Sequence, residues 1–174
     1  MAQLVAEGWD DLTNVRRELE LDGLPVELLG LDDAHIRAQD YRVGTRRAEE
    51  RFGIAVMHSP DSAPEAAAFG YPFMVAGHTH GGQVCLPWFG ALVTNCSMPR
   101  RIVKGLARIG TSVLHTSPGL GTSKYAPFRF ACRPEATLLE LHRAPVTQGP
   151  ASAFATLGAP RDVAQFGSAQ RSGR

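Results

Sequence analysis

The sequence predicts an α/β (α+β) sheet protein, on three observations. Short apolar runs of strand length, "GIAVMHSPD" and "PFMVAGHTH", end in Ser-Pro or in glycine. A helix-sized segment, "SAPEAAAFGY", lies between them, and an Asp22-Gly23 turn signal separates two further strand-like runs. Buried strands mixed with short helices and hairpins are the pattern of this class. The 174 residues, 44% hydrophobic and 20% charged, suffice for one domain with a real core.

In chain order, Met1 to Asn14 has weak periodicity, fitting a frayed helix or a connector. Val15, Arg17, Leu19 and Leu21 then alternate, Asp22-Gly23 turns the chain, and an apolar run continues from Val26 to Leu31, which reads as a β-hairpin. A short surface helix is expected near Thr45 to Phe52. "GIAVMH" is a buried strand closed by Ser59-Pro60. Ser62 can cap a helix that Gly70 stops. "PFMVAGHTH" is the next buried strand. "QVCLPWFGALVTN" is irregular but rich in bulky residues. "SVLHTSPGLGTS" and "RFACRPEATLLELHR" complete the series as strands, the last alternating at Thr137, Leu139 and Leu141. Residues 1–143 form the domain, and 144–174, rich in Pro, Gln, Gly, Ala and Ser, read as a disordered tail.

Several function classes are disfavoured. The formal net charge is +1, so no nucleic-acid signature emerges, and Arg46-Arg47 and Arg100-Arg101 read as solvated faces. Cys85, Cys96 and Cys132 form no C-x-x-C pair and fit a reducing compartment. No apolar run approaches the roughly 18 residues needed to cross a bilayer, and no leader pattern opens the chain. As written, the chain is expected to be cytoplasmic, with no membrane segment of its own.

The chemistry gathers at the strand ends. In extended backbone, residues i and i+2 project to the same side, so His78 and His80 can aim at one point. Gly77, Gly81 and Gly82 free the backbone around them. His58 ends the other buried strand, giving three imidazoles for a metal. His35, His115 and His142 stand without partners in the sequence and read as structural.

With these residues in view, "GHTHGGQVCLP" resembles the terminal histidine motif of the calcineurin-like metallophosphoesterases. "LLGLDD", "AVMHSPD" and "SPGLGTSKYAPFRFACRPEATLLEL" fall in the order shown by their bacterial membrane-associated branch, over roughly Asp11 to Leu141. The resemblance implies a β-sandwich flanked by helices, here a truncated half. It implies hydrolysis of phosphomonoester, phosphodiester or pyrophosphate bonds at two divalent ions (Mn, Fe, Zn or Mg). Carried over by position, His58 and His78 would bind one ion and His80 the other. Gly81, Gly82 and Gln83 would shape the substrate loop, and Asp32 and Asp33 match an acidic pair of the branch. A phosphorylated small molecule or lipid is the implied substrate, and relatives are expected to reach membranes through a segment upstream of Met1.

The family's first-half motifs, an Asp-x-His, a Gly-Asp-x-x-Asp and a Gly-Asn-His-Asp or Glu, are not matched at a strand end before His58. The catalytic histidine of the family would lie in that missing half. Two dications about 4 Å apart repel by about 17 kcal/mol at an effective dielectric of about 20. Three neutral imidazoles do nothing to offset this, so at most one weakly bound ion is expected and the isolated chain should be inactive or nearly so. Two other readings stay open: a mononuclear three-histidine zinc enzyme, and a non-catalytic remnant or binding module.

Overall fold

A computed structural model describes residues 2–46, 51–123 and 125–142. Its main unit, Met1–Leu138, is built on a mixed six-stranded sheet with few helices, the class expected and consistent with part of a metallophosphoesterase-like α+β fold. The strands are β1 (Val15–Leu21), β2 (Leu24–Leu31), β3 (Phe52–Met57), β4 (Phe73–Ala76), β5 (Cys85–Leu86), β6 (Gly90–Ala91), β7 (Gly105–Ile109) and β8 (Ser112–Thr116). The sheet order is β1-β2-β3-β4-β8-β7, and β5-β6 form a separate ribbon. The four inner strands, β2, β3, β4 and β8, run parallel; β1 and β7 add antiparallel at the two edges.

The predicted hairpin is β1-β2. Asp22 and Gly23 both take positive φ (48° and 75°), the tight turn whose twist suits flanking strands. Register across the parallel strands follows from side-chain size and face. Leu29, Ala55, Met74 and Leu114 form one cross-strand row and are each 0% exposed. A short helix, α1 (Ala2–Ala6), precedes the sheet, and against that face packs α2 (Ala63–Ala68), whose Ala63 and Ala66 allow close approach, with Ile102 alongside. Ser62 stands at the N-cap of α2, but its hydroxyl lies 3.2 Å from Tyr41 Oη and does not cap. Gly70 follows the helix with φ 92°, as its stop requires. On the opposite face, Leu28, Ile54, Val56, Val75 and Val113 remain half-buried.

Inside the sheet, Glu27 is fully buried and accepts a 2.8 Å bond from Tyr71 Oη. Burial and the adjacent carboxylate push the Tyr71 phenol well above its ordinary range.

One expectation needs correction. The strand proposed over Thr137 to Leu141 does not form: from 131 to 142 the described chain enters no ladder, and Leu138 and Leu141 are exposed. Alternation marks a strand only where a neighbour completes its backbone bonds. Two elements were not foreseen: the β5-β6 ribbon, and β7, whose "GLARI" mixes glycine and arginine at an edge where only one face needs apolar groups. The helix proposed over Thr45 to Phe52 falls largely on 47–50, outside the described residues, and Phe52 already belongs to β3. The tail from 144 also lies outside them. The second unit, Leu139–Arg174, is described only at 139–142, where His142 Nε2 lies 3.4 Å from Glu140. Among the described residues no helix is long and apolar enough to cross a membrane.

Candidate metal and phosphate site

The last row of the parallel register is Leu31, Met57, Ala76 and Thr116. Whatever follows each of these residues emerges at the same end of the sheet, where loops of parallel sheets carry chemistry. β2 delivers Asp32 and Asp33, β3 delivers His58, β4 delivers Gly77 and His78, and β8 delivers Ser117. The Gly77 amide donates to the His58 carbonyl at 3.1 Å, locking the two histidine-bearing ends together.

His58 Nε2 and His78 Nδ1 stand 2.8 Å apart, with ring centroids 4.5 Å apart. One nitrogen must donate to the other, and in either tautomer the buried Nε2 of His78 lacks a hydrogen-bond partner. Burial, and then the neighbouring His58, lower the His78 pKa and favour the neutral ring that ligates metals. Asp33 Oδ2 lies 3.5 Å from His58 Nε2. Asp33 is held there because its other oxygen accepts from the His35 amide, capping a short 3-10 turn over Ala34–Ile36.

That turn brings in a histidine first read as structural. His35 is not partnerless: its ring lies 5.3 Å from that of His78. Asp33-Ala34-His35 is also an Asp-x-His pair directly after a strand, contrary to the expectation that none stands there. The signal was legible as a spacing; only the register of β2 beside β3 shows that it faces His58. His115 sits buried on β8 beside Val75, its pKa lowered by burial.

His80 is positioned by different means. The extended geometry invoked for His78 and His80 is absent, because β4 ends at Ala76 and both histidines take positive φ (67° and 51°). Thr79 between them is buried, its hydroxyl donating to the Val103 carbonyl at 2.7 Å. Arg129 donates to the carbonyls of His80 (2.9 Å), Pro118 (2.7 Å) and Gly119 (3.2 Å), and also to that of Gly121. The Cys132 thiol contacts the His80 and Gly81 carbonyls. Gly81 and Gly82 are obligatory: a Cβ on Gly81 would lie 2.9 Å from Cys132 Sγ, and one on Gly82 would lie 2.1 Å from Ala91 Cβ.

A cavity of about 470 Å³ is lined by His35, His78, His80, Gly82, Gln83 and Tyr125, among others. Gln83 is tied to its far wall, accepting from the Ser123 amide at 2.7 Å and donating to the Ala126 carbonyl. A second cavity of about 690 Å³ shares His35, Val93 and Asn95 with the first and reaches Asp61 and Ser97. The His80 ring lines the first cavity without bonding to the His58–His78 pair. Among the described residues no group of three or more His, Cys, Asp or Glu side chains is arranged to hold a metal ion. The donor chemistry thus fits one cation in part, through two facing imidazoles and an orphaned ring nitrogen, and does not complete a two-ion centre.

Comparison with known proteins agrees with this chemistry. The chain is 31% identical over 140 residues to the uncharacterized metallophosphoesterase YkuE of Bacillus subtilis (strain 168), covering 79% of this chain and 48% of that protein. It is 38% identical over 88 residues to the phosphodiesterase YaeI of Escherichia coli (strain K12), covering 51% of this chain and 32% of YaeI. It is 26% identical over 139 residues to a second Bacillus subtilis metallophosphoesterase, YkoQ, covering 79% and 51%. The chain spans about half the length, or less, of these curated relatives. No family model and no solved structure matches it.

Proposed function

Since the chain belongs to the calcineurin-like metallophosphoesterases, a phosphohydrolase family, we propose that it supplies the histidine end of a metal-dependent phosphohydrolase site. The observation that carries this is the 2.8 Å approach of His58 to His78 across the ends of two register-locked strands. His58 and His78 hold one divalent ion and His80 contributes to a second, which the described residues do not complete. Such an ion supplies Lewis-acid polarisation of a phosphoryl oxygen and a water of lowered pKa.

The chain's own residues do the rest. Asp33 orients His58 and places a negative charge beside the cation. His35 stands beside the His78 ring. Gly82 and Gln83 form the floor of the cavity that admits the phosphoryl group, and the wall tied to Gln83 fixes its width. The substrate is a phosphorylated small molecule or lipid, cleaved at a phosphomonoester, phosphodiester or pyrophosphate bond. Among the described residues Asp33 is the carboxylate that contacts the imidazole pair, too little negative charge for two dications. The chain by itself therefore turns over an activated aryl phosphate slowly or not at all.

The test is uptake of Mn²⁺ by the chain, read from loss of the free-ion paramagnetic resonance signal. One bound ion is expected, with affinity falling by about tenfold or more in His58→Ala or His78→Ala. Uptake that neither substitution alters, or none at all, removes the proposal.

A further inference from the structure

Two of the three cysteines converge on one backbone atom. Cys85 Sγ lies 3.5 Å from the Gly81 carbonyl oxygen, and Cys132 Sγ lies 3.3 Å from the same oxygen. The two thiols also hydrogen-bond each other; burial, and then this neighbour, push the Cys85 thiol up. The backbone explains the meeting. The Phe130 amide donates to the Gln83 carbonyl at 3.0 Å, and the Cys85 amide donates to the Phe130 carbonyl at 2.9 Å. The two segments thus run parallel where Val84 bridges Phe130, and Ala131, at a positive φ of 49°, bends the chain directly before Cys132.

The pair is asymmetric. Cys85 is half-buried, whereas Cys132 is 6% exposed and has the Arg129 guanidinium 3.6 Å from its sulfur. Cys96 points elsewhere, its thiol donating to the Met98 carbonyl at 3.8 Å. In reduced form both thiols donate to the Gly81 carbonyl, and Cys132 also contacts the His80 carbonyl at 3.4 Å. A disulfide has no S–H left to donate. The turn has little slack to absorb that loss, since a Cβ on Gly81 would lie 2.9 Å from both Cys132 Sγ and Pro118 Cβ.

We infer that Cys85 and Cys132 form a reversible disulfide by exchange with a small-molecule disulfide of the glutathione class, and that this bond repositions His80. The Cys85 thiolate attacks one glutathione sulfur, forming a mixed disulfide and expelling one glutathione thiolate. The Cys132 thiolate then attacks the Cys85 sulfur, closing the protein disulfide and expelling the second glutathione. Two protein thiols lose two electrons and two protons, and one glutathione disulfide becomes two thiols. Where thiols are otherwise kept reduced, such a bond is transient and acts as a sensor. His58 and His78, placed by sheet register, stay where they are. Neither the exchange nor its effect on His80 requires a bound ion, so this inference stands or falls separately from metal uptake.

Incubation of the full native chain with oxidised glutathione, followed by intact mass and a non-reducing peptide map, tests it. A loss of about 2 Da is expected, with a link between the Cys85 and Cys132 peptides that dithiothreitol reverses. The same link is expected in Cys96→Ser, and none in Cys85→Ser, whose circular dichroism spectrum is unaltered. On oxidation the ring NMR signals of His80 shift while those of His58 and His78 hold, and Cys85→Ser removes the shift. A glutathione adduct on Cys85 that never closes overturns the inference. So does a link through Cys96 or between chains, or closure that needs urea. A disulfide that leaves the His80 signals unmoved overturns the repositioning.

Discussion

The inner parallel strands and the stretch after β4 are both rich in apolar residues, yet they spend them differently. In the strands, Leu29, Met74 and Leu114 are wholly buried in one row. After β4, Trp88, Leu120 and Tyr125 are largely exposed. The strands place His58 and His78 through backbone register, a local and repetitive rule. The later stretch places His80 through a few long-range clamps from Arg129 and Cys132. One half of the site is set by the core, and the other by a loop lashed to backbone carbonyls, so the two should fail separately.

The harshest way to break the comparison is Leu29→Ala. It opens a cavity in the row that sets register and should cost about 3 kcal/mol in urea denaturation, with both histidine ends lost together. Arg129→Ala should cost about 2 kcal/mol, because the bonds that a charged group gives to several carbonyls disappear at once. Its effect should be selective: histidine NMR signals of His80 shift while those of His58 and His78 hold. Arg129→Lys should not restore them, since one ammonium cannot span the same carbonyls. Movement of all three signals together would merge the two halves into one unit.

Smaller still is Tyr71→Phe, which removes one donor reaching the buried Glu27 carboxylate and should cost about 1 kcal/mol while leaving Mn²⁺ uptake unchanged. The subtlest measurement is acid titration of stability. Burial lowers the His115 pKa, with Glu135 opposing weakly. The unfolded chain therefore binds this proton more readily than the folded one. The contribution of neutral His115 is complete above its unfolded pKa, about 6.5, and is lost as pH falls toward the lower folded value. His78 shifts in the same direction. His115→Leu should flatten the acid limb of a denaturation profile between about pH 7 and pH 5 without abolishing it. An unchanged slope would show that His115 is as well solvated as a loop histidine.

The same contrast explains what the sequence could show. β1 to β4 and β8 were legible because an apolar run ending in Ser-Pro or Gly, or an Asp-Gly turn, is a local signal for a strand end. His58 and His78 followed from those ends. His80 did not, because its backbone is shaped by Arg129, 49 positions away, and Cys132, 52 positions away. His35 was passed over because its partner belongs to a different strand. The strand proposed over Thr137 to Leu141 failed for the complementary reason: its alternation is real, but no ladder receives it. Net charge averages over an acidic first third and the basic stretch that follows.

The two hairpin turns, Asp22-Gly23 and Gly110-Thr111, cap the ends of the sheet where β2 and β8 begin. His58 and His78 emerge where the parallel strands finish, roughly 15 Å beyond the Gly110-Thr111 turn and roughly 25 Å beyond the Asp22-Gly23 turn at about 3.3 Å per residue. The molecule is therefore a polar object with a chemical pole and an inert one. A fluorophore, an affinity handle or a surface tether installed at either turn would leave the histidine end of the sheet unobstructed, and would fix which way the sheet faces when the chain is immobilised.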